Sequence, residues 1–347
     1  MTSGNAGSGA LRIGSRGSQL ALWQARWVQG ELAKLGAPSE IEVIRTTGDK
    51  ITGVSLARLG KEAGVKGLFT KEIEEALIEG RVDIAVHSLK DLPTVHNPGL
   101  TLGAVMKRGE SADALVSRDG HTVLTLPPGA QVGTSSSRRA AQLLNVRPDL
   151  NLIDLRGNAD TRLRKALDPG GPYDAVVVSL AALERLDLTS TISEVLSDEL
   201  MLPAPGQGAI AIQCRDEPES VTLLQGLTHR PTELETTAER AFLEGMGGGC
   251  AVPVAAKARL GDDGHLRIRG RVLSPDGSRR IDVAADVQVF PGLEDSRTAR
   301  EAGLALAEEA LRQGAAALLT AAGPAAVPAA STSATATRAA GEEDCSS

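Results

Sequence analysis

The first two thirds of the chain alternate short runs of β-branched and other apolar residues with amphipathic stretches. In one such stretch Phe69, Ile73 and Leu77 lie four residues apart and share one face, while acidic residues occupy the other. This pattern predicts a helix over residues 69–79, which Gly80 can end. Strands interleaved with helices are typical of a mainly parallel α/β sheet, here arranged in two lobes. The predicted strands are Leu11–Gly14, Ile41–Arg45, Asp83–His87, Gln131–Thr134, Leu152–Leu155, Ala175–Ser179 and Ile210–Gln213.

The pattern changes after Pro231. A helix is predicted over residues 233–244, followed by strands with turn sequences at 261–264 and 274–277, and then by a helix over 297–313. This order predicts a small α+β domain with an antiparallel sheet. Beyond Thr320 the chain consists mostly of Ala, Pro, Ser and Thr, so we expect a disordered tail there.

The composition narrows the possible classes of function. Of the 347 residues 41% are apolar but only six are aromatic, so the core must be aliphatic. The net charge of −7 argues against a general nucleic-acid binder, whose surface is normally basic. An anionic ligand would therefore have to meet a local cluster of arginines.

The sequence also predicts a cytoplasmic protein without disulfides or metal. Its cysteines, Cys214, Cys250 and Cys345, are too few for a disulfide framework, and neither they nor the histidines show zinc-ligand spacing. Residues 1–10 lack the features of a signal peptide. No apolar run reaches the roughly 18 residues that a membrane span needs, so we expect no membrane association.

Cys250 lies in an unusual setting, because glycines fill Gly247–Gly249 before it and Pro253 follows it. A buried, inert cysteine is one interpretation, since free cysteines are among the most buried residues. A packed core has little use for several residues without side chains, however. The glycines would instead leave room for a bulky group beside the sulfur.

A second candidate site follows the predicted strand Asp83–His87, where Lys90 and Asp91 precede Pro93. Open α/β sheets bind ligands at the carboxyl ends of their strands. The segment could be only a surface turn. A carboxyl held there could also transfer a proton, and a neighbouring cation would tune its pKa.

The third candidate is Gly133–Ala140, where hydroxyl residues precede a helix that begins with Arg138 and Arg139. Cations are unfavourable at a helix N-terminus because of the macrodipole. A serine cap with two solvated arginines is the simpler interpretation. An anion held by backbone N–H groups, hydroxyls and guanidinium groups explains the arginines better.

Other strand-end loops repeat this design with Arg16, with Arg156 and Arg162, and with Lys66. Together they predict a cleft for a ligand with several carboxylates or phosphates, and arginine suits carboxylates particularly well. The chain has neither a nucleotide-binding glycine motif nor the nucleophile motif of serine hydrolases. No histidine can be assigned as a base for Cys250.

Taken together, these segments resemble the hydroxymethylbilane synthase family, also called porphobilinogen deaminase, from Leu11 to about Ala322. Several stretches in the family's order make the resemblance specific. They are Arg16–Gln24, Lys66–Glu72, Asp83–Pro93, Gly133–Arg139, Leu155–Asn158 with Thr161–Leu163, Leu202–Ala209 and Gly248–Pro253.

The resemblance implies two lobes like those of periplasmic binding proteins around a cleft, plus a small C-terminal α+β domain carrying the cysteine. The chain would cross between the lobes near Lys107 and near Leu202, which makes the first lobe discontinuous. The expected limits are 10–106 with 207–224 for domain 1, 112–201 for domain 2 and 229–321 for domain 3. A flexible segment 1–9 and a disordered tail 322–347 would flank them.

The implied activity is the head-to-tail condensation of four porphobilinogen molecules, with release of ammonia, to a linear tetrapyrrole. Cys250 would hold a dipyrromethane primer through a thioether, and Asp91 would be the catalytic acid. No partner beyond this substrate is implied, and we expect a monomer. The cofactor would be bound by Lys90, Ser136, Arg138, Arg139, Arg156 and Gly157, and the substrate by Arg16, Ser18, Lys66, Arg156, Arg162 and Gln207.

The chain departs from the family in three places. Ser137 stands where the family usually has leucine, and Asp160 puts an acid beside Arg162. The segment 58–66 is longer than usual, so Lys61 has no clear counterpart. Two other classes of function remain open at this point: a binding protein whose lobes close on an anion, and a hydrolase or acyltransferase that uses Cys250 in turnover.

Overall fold

A computed structural model describes residues 10–50, 70–95, 97–155, 157–248, 252–290, 292 and 294–320. Three of the predicted site residues, Lys66, Arg156 and Cys250, lie outside these residues. The same holds for Lys61 and for the segments 1–9 and 322–347, for which flexibility and disorder were expected.

The first sheet has five strands in the order β2-β1-β3-β10-β4. β1 pairs in parallel with β2 and β3, whereas β10 is antiparallel to both β3 and β4. Aliphatic residues from this sheet and its helices, such as Ile13, Val28 and Ile212, form its core. The elements are β1 (Leu11–Ser15), α1 (Gln19–Lys34), β2 (Ser39–Val43), α2 (Thr47–Lys50), α3 (Lys71–Ile78), β3 (Ile84–Ser88), β4 (Leu100–Val105), β10 (Ile210–Arg215) and α7 (Pro218–Gln225).

The second sheet repeats this plan in the order β7-β6-β8-β5-β9. β6 is parallel to β7 and β8, and β5 is antiparallel to β8 and β9. Separate apolar clusters pack on its two faces, one around Leu155 and Leu183 and the other around Leu115 and Leu143. The elements are β5 (Asp113–Ser117), β6 (Gln131–Gly133), α4 (Ser137–Val146), β7 (Asn151–Ile153), α5 (Ala159–Leu167), β8 (Ala175–Ser179), α6 (Leu180–Arg185) and β9 (Glu194–Val195).

The third sheet is antiparallel, with strands β11 (Val254–Leu260), β12 (His265–Leu273) and β13 (Arg280–Gln288) in that order. Two long helices and a short one accompany it. Phe242 enters the core against Gly270, where a Cβ atom would lie 2.5 Å from the ring. The helices are α8 (Arg230–Gly245), α9 (Asp295–Arg312) and α10 (Ala315–Thr320).

The predicted α/β class with a small C-terminal α+β domain is confirmed, including both hairpin turns. The expectation of mainly parallel sheets is wrong, because two of the four pairings in each five-stranded sheet are antiparallel. In the first sheet the cause is β10, a strand that returns from beyond the second sheet and inserts between β3 and β4. β4, β5 and β9 were not predicted. The domain limits stay a prediction.

Candidate functional site

Asp91 lies in a short 3₁₀ turn, Leu89–Asp91, directly after the carboxyl end of β3. Leu89 anchors this turn, because its side chain is fully buried and its N–H donates to the carbonyl of Ala209 at 3.0 Å. The turn closes with a bond of 3.2 Å from the N–H of Leu92 to the carbonyl of Leu89. Asp91 is exposed, so its carboxyl is accessible from solvent.

Lys90 points into the protein and begins a hydrogen-bond chain. Its Nζ donates to Oε1 of Gln207 at 3.1 Å, and Nε2 of the buried Gln207 donates to Oδ1 of Asp113 at 2.9 Å and to the carbonyl of Ser111 at 2.7 Å. Burial lowers the pKa of Lys90 to about 8, helped by the charge of Arg139 and opposed by Asp91 and Asp113. Lys90 therefore loses its charge at a lower pH than an ordinary lysine does.

Asp113, the first residue of β5, is fully buried between two guanidinium groups. Arg138 donates to its Oδ2 at 2.8 Å and Arg139 to its Oδ1 at 2.7 Å. Other guanidinium N–H groups bond to the carbonyls of Leu202 and Val177 at 2.8 and 2.9 Å. Burial alone would raise the pKa of Asp113, but the two arginines outweigh it and hold this pKa well below its ordinary value.

Asp113 explains why two arginines can lie at a helix N-terminus. Both arginine side chains are buried, and the anion that they meet belongs to the protein. Neither interpretation of the sequence included such an internal anion. One signal was available, since an acid that opens the apolar run 114–116 must be paired if that run is buried. Contacts of Arg138 and Arg139 with ligand carboxylates stay a prediction.

The start of α4 also contains the expected serine cap. Oγ of Ser136 accepts a hydrogen bond from the N–H of Arg139 at 3.4 Å. Oγ of Ser135 donates to the carbonyl of Leu155 at 2.6 Å, which ties this loop to the end of β7. The cap and the buried arginine pair therefore occur together.

The remaining predicted residues lie in two other strand-end loops or in the first turn of the helix that follows. After β1, Arg16 is half-buried, and Ser18 caps α1 by accepting from the N–H of Ala21 at 3.3 Å. After β7, Gly157 has φ +119°, and a Cβ atom there would lie 2.7 Å from Thr161. Nε of the half-buried Arg162 donates to the carbonyl of Gly157 at 2.8 Å. A side chain at position 157 would therefore be both strained and crowded.

The two crossings between the lobes lie in contact. The N–H of Gly109 donates to the carbonyl of Gly208 at 3.1 Å, and a Cβ atom on Gly208 would lie 2.6 Å from the carbonyl oxygen of Gly109. Gly208 has φ +88°. Only glycine allows this close approach, which brings Gln207 between Lys90 of the first lobe and Asp113 of the second.

The third domain approaches the Asp91 turn through its glycine segment. Gly248 has φ +59°, and a Cβ atom there would lie 3.3 Å from Oγ1 of Thr94. Thr94 is three positions after Asp91, and Gly248 is two positions before Cys250. The described end of the glycine segment therefore lies beside the loop that carries the candidate acid.

The residues that the structure describes contain neither a metal-binding cluster nor a membrane-spanning helix. No group of three or more histidine, cysteine or acidic side chains in that part of the chain is arranged to hold a metal ion. Among its helices, none is long and apolar enough to cross a membrane.

Comparison with known proteins gives consistent matches along the chain. Residues 11–222 match a family model described as porphobilinogen deaminase, dipyromethane cofactor binding domain, and residues 233–312 match the model of the C-terminal domain of porphobilinogen deaminase. A porphobilinogen deaminase of Syntrophomonas wolfei is 46% identical over 313 residues, covering 89% of this chain and 97% of that protein. One of Brevibacillus brevis is 43% identical over 310 residues, covering 88% and 96%.

Solved structures of periplasmic binding proteins resemble the chain more distantly. A substrate-binding protein from Coxiella burnetii is 15% identical and covers 66% of this chain and 96% of its own, with a TM-score of 0.39. The sulphonate-binding protein SsuA from Escherichia coli is 14% identical and covers 68% and 70%, with a TM-score of 0.35. Likeness at this level carries no conclusion about the chemistry of the chain.

Proposed function

Since this chain belongs to the porphobilinogen deaminase family, we propose that Asp91 is its catalytic acid and that Cys250 carries its dipyrromethane cofactor. The enzyme condenses four porphobilinogen molecules head to tail, with loss of ammonia, to the linear tetrapyrrole hydroxymethylbilane. One observation carries the assignment of the site. The exposed Asp91 turn lies against the glycine segment that leads to Cys250, through the approach of Gly248 to Thr94.

The reaction requires a proton donor that can reach the substrate. Loss of ammonia from porphobilinogen needs a proton on the departing amine and leaves a positive charge on the pyrrole unit. Asp91 would donate that proton as a carboxylic acid and then stabilise the cation as a carboxylate. Its exposure allows both steps, because the carboxyl makes no hydrogen bond within the described part of the chain.

The described residues fit a dipyrromethane, a group with four carboxylates that needs both cations and clearance. Lys90 supplies a cation at the rim of the arginine cluster, Arg16 lies in the loop after β1, and Arg162 lies in the first turn of α5. Gly247 of the glycine segment supplies clearance, because a Cβ atom there would meet no described atom within 4 Å. When bound, the dipyrromethane supplies the pyrrole carbon onto which the first substrate unit is transferred.

Under this proposal the predicted site residues divide into two sets. Lys90, Ser136, Arg138, Arg139, Arg156 and Gly157 would hold the cofactor, and Arg16, Ser18, Lys66, Arg156, Arg162 and Gln207 would hold the substrate. Lys66, Arg156 and Cys250 enter through family membership alone, since they lie outside the described residues. Arg138 and Arg139 would act mainly through their charge and through the N-terminus of α4, because Asp113 and backbone carbonyls occupy their N–H groups.

We further propose a cytoplasmic monomer with the three domains given by the limits 10–106 with 207–224, 112–201 and 229–321. The three separate sheets support this division, and the scarcity of cysteine supports a reducing compartment. Chromatography with light scattering at several protein concentrations would test the oligomeric state.

The intact mass of the purified, denatured protein tests the role of Cys250. We expect a covalent adduct with the mass of a dipyrrole on the wild-type chain and on Cys214→Ala, a control at a buried cysteine whose pKa burial raises to about 11. Cys250→Ala should lack the adduct and turnover, whereas Asp91→Ala should keep the adduct and lose turnover. An unmodified wild-type chain from cells that make porphobilinogen would refute the proposal, and so would full turnover by Cys250→Ala.

A further inference from the structure

Helix α8 buries two opposite charges at adjacent positions, and each binds a different part of the enzyme. Glu239 is fully buried and accepts four hydrogen bonds. Two come from Arg108 at 2.7 and 2.9 Å, one from the N–H of Gly206 at 2.7 Å and one from the N–H of Ala258 at 2.8 Å. Glu239 therefore joins the third domain to both crossings between the lobes.

Arg240, the next residue, is 9% exposed and reaches the Asp91 turn. Its Nη1 donates to the carbonyls of Leu92 and Leu89 at 3.0 and 3.4 Å, and its Nη2 donates to that of Pro93 at 2.6 Å. The carbonyls of Leu92 and Pro93 follow the turn and accept no hydrogen bond from within it, so a guanidinium group is well suited to them. Because Arg240 binds main-chain carbonyls, it holds the backbone of the turn independently of the side chains there.

The opposite side of the turn is held by the crossing segment. The N–H of Leu89 bonds to the carbonyl of Ala209, and Nζ of Lys90 bonds to Gln207. The turn is thus fixed between two supports, one in the crossing segment and one in the third domain. Arg240 is the support that comes from the domain containing Cys250.

This support lies close to the cofactor anchor along the chain. Helix α8 ends at Gly245, and the following segment approaches Thr94 at Gly248. A shift of α8 would therefore act on the glycine segment and, through Arg240, on the Asp91 turn. The same part of the chain thus meets the turn at two places, through Arg240 and through the approach of Gly248 to Thr94.

We propose that Arg240 is a positioning residue that holds the Asp91 turn in register with the segment that carries Cys250. It acts through the backbone of residues 89–93 and contacts neither substrate nor cofactor. The inference rests on the proposed roles of Asp91 and Cys250. Loss of this support would leave binding intact and misplace the acid, and small misplacements of catalytic groups have large effects on rate.

A small cavity beside Arg240 makes a chemical test possible. Its volume is about 80 Å³, and it is lined by Leu89 and Arg240, by 102–105 of β4 and by Thr236 of α8. Shortening Arg240 would enlarge this space toward the three carbonyls. A guanidinium ion from solution could then take the place of the missing side chain.

The test measures steady-state kinetics, intact mass and thermal unfolding of the holoenzyme for Arg240→Ala, Arg240→Lys and the control Arg259→Ala, an exposed arginine on β11 of the same domain. For Arg240→Ala we expect kcat to fall by about tenfold or more, KM to stay within about twofold, and the adduct to remain. Arg240→Lys should recover part of kcat, and low concentrations of guanidinium chloride should raise kcat of Arg240→Ala but not of the control.

Several results would overturn the inference. They are a kcat of Arg240→Ala close to that of wild type, an effect confined to KM, loss of the adduct from a folded variant, and the absence of recovery by both lysine and guanidinium. Failure of the proposed function is a different result, because it would appear in the wild-type chain as a missing adduct. Arg240→Lys keeps the test valid if the alanine variant does not fold.

Discussion

Two aspartates on the two lobes have opposite environments. Asp91 follows β3 of the first sheet and exposes its carboxyl, whereas Asp113 begins β5 of the second sheet and is fully buried against Arg138 and Arg139. Each lies at the end of a strand, Asp91 three positions after β3 and Asp113 at the first position of β5. Exposure and hydrogen bonding therefore decide which carboxyl can exchange protons with a substrate.

The comparison shows how a cationic cleft can be assembled without destabilising the protein. Two adjacent arginines at a helix start repel one another and oppose the helix dipole. Asp113 offsets this repulsion from inside the protein, and Gln207 connects it to Lys90 of the other lobe. We infer that Asp113 organises the positive charge of the site, while Asp91 carries out the chemistry on its rim.

Asp113→Asn should give the largest change in stability and provides the strongest test of this comparison. Removal of the carboxylate charge that both guanidinium groups contact leaves two buried cations without this compensation, which costs about 3–5 kcal/mol. Urea unfolding at pH 7 measures the difference. Asp91→Asn is the matched control and should change the free energy of unfolding by about 0.5 kcal/mol or less, since its carboxyl is exposed.

The contribution of Asp113 to the stability of the fold should decrease at low pH. The pKa of Asp113 is held well below its ordinary value of 3.8, so its contribution is complete above that value and is lost as the pH falls toward the folded pKa. The stability difference between wild type and Asp113→Asn should therefore be constant near neutrality and shrink below about pH 4. An equal difference at pH 3 and pH 7 would contradict the ion-pair explanation.

Much of this arrangement was predictable from sequence, and the parts that were not share a physical cause. β8 was predicted with its observed limits because Ala175–Ser179 contains three consecutive valines and follows the turn residues 170–172. The strand-end loops were predicted because glycine, serine and arginine cluster there. The pattern of residues near each other in the chain was sufficient for both.

β5 and the burial of the arginine pair depend on residues far apart in the chain. Asp113 makes β5 look polar, and it is acceptable in a buried strand only because Arg138 and Arg139 lie beside it, 25 and 26 positions later. Arg240 meets the Asp91 turn across nearly 150 positions. A local pattern can indicate that a buried acid needs a partner, but it does not identify that partner, which becomes known only with the fold.

Lys90 precedes Asp91 in the chain and is linked to Asp113 through Gln207. Its substitution should have an effect of intermediate size. The pKa of about 8 means that Lys90 is charged at pH 7 and loses its charge as the pH rises through 8. A charged hydrogen bond to a ligand carboxylate is worth roughly 1.5–3 kcal/mol. We therefore expect Lys90→Gln to lower kcat/KM by about tenfold at pH 7.

We would measure the ratio of kcat/KM between wild type and Lys90→Gln from pH 6.5 to 9.5. Its pH dependence distinguishes an effect of the charge of Lys90 from an effect of its packing. The ratio should fall toward one above pH 8, because both enzymes then lack a charge at position 90. The Arg259→Ala control should keep a constant ratio to wild type. A ratio for Lys90→Gln that does not change with pH would indicate that Lys90 acts through contacts other than its charge.

The smallest effect should come from Ser137→Leu, directly before the arginine pair. Oγ of Ser137 is buried without a hydrogen-bond partner in the described part of the chain, so replacing it with an apolar side chain should cost nothing and could stabilise the fold by up to about 1 kcal/mol. Urea unfolding should detect this change, with kcat within about twofold of wild type. If Asp113 alone sets the position of Arg138 and Arg139, their neighbour can change freely, whereas a large loss of kcat would mean that the start of α4 shares that role.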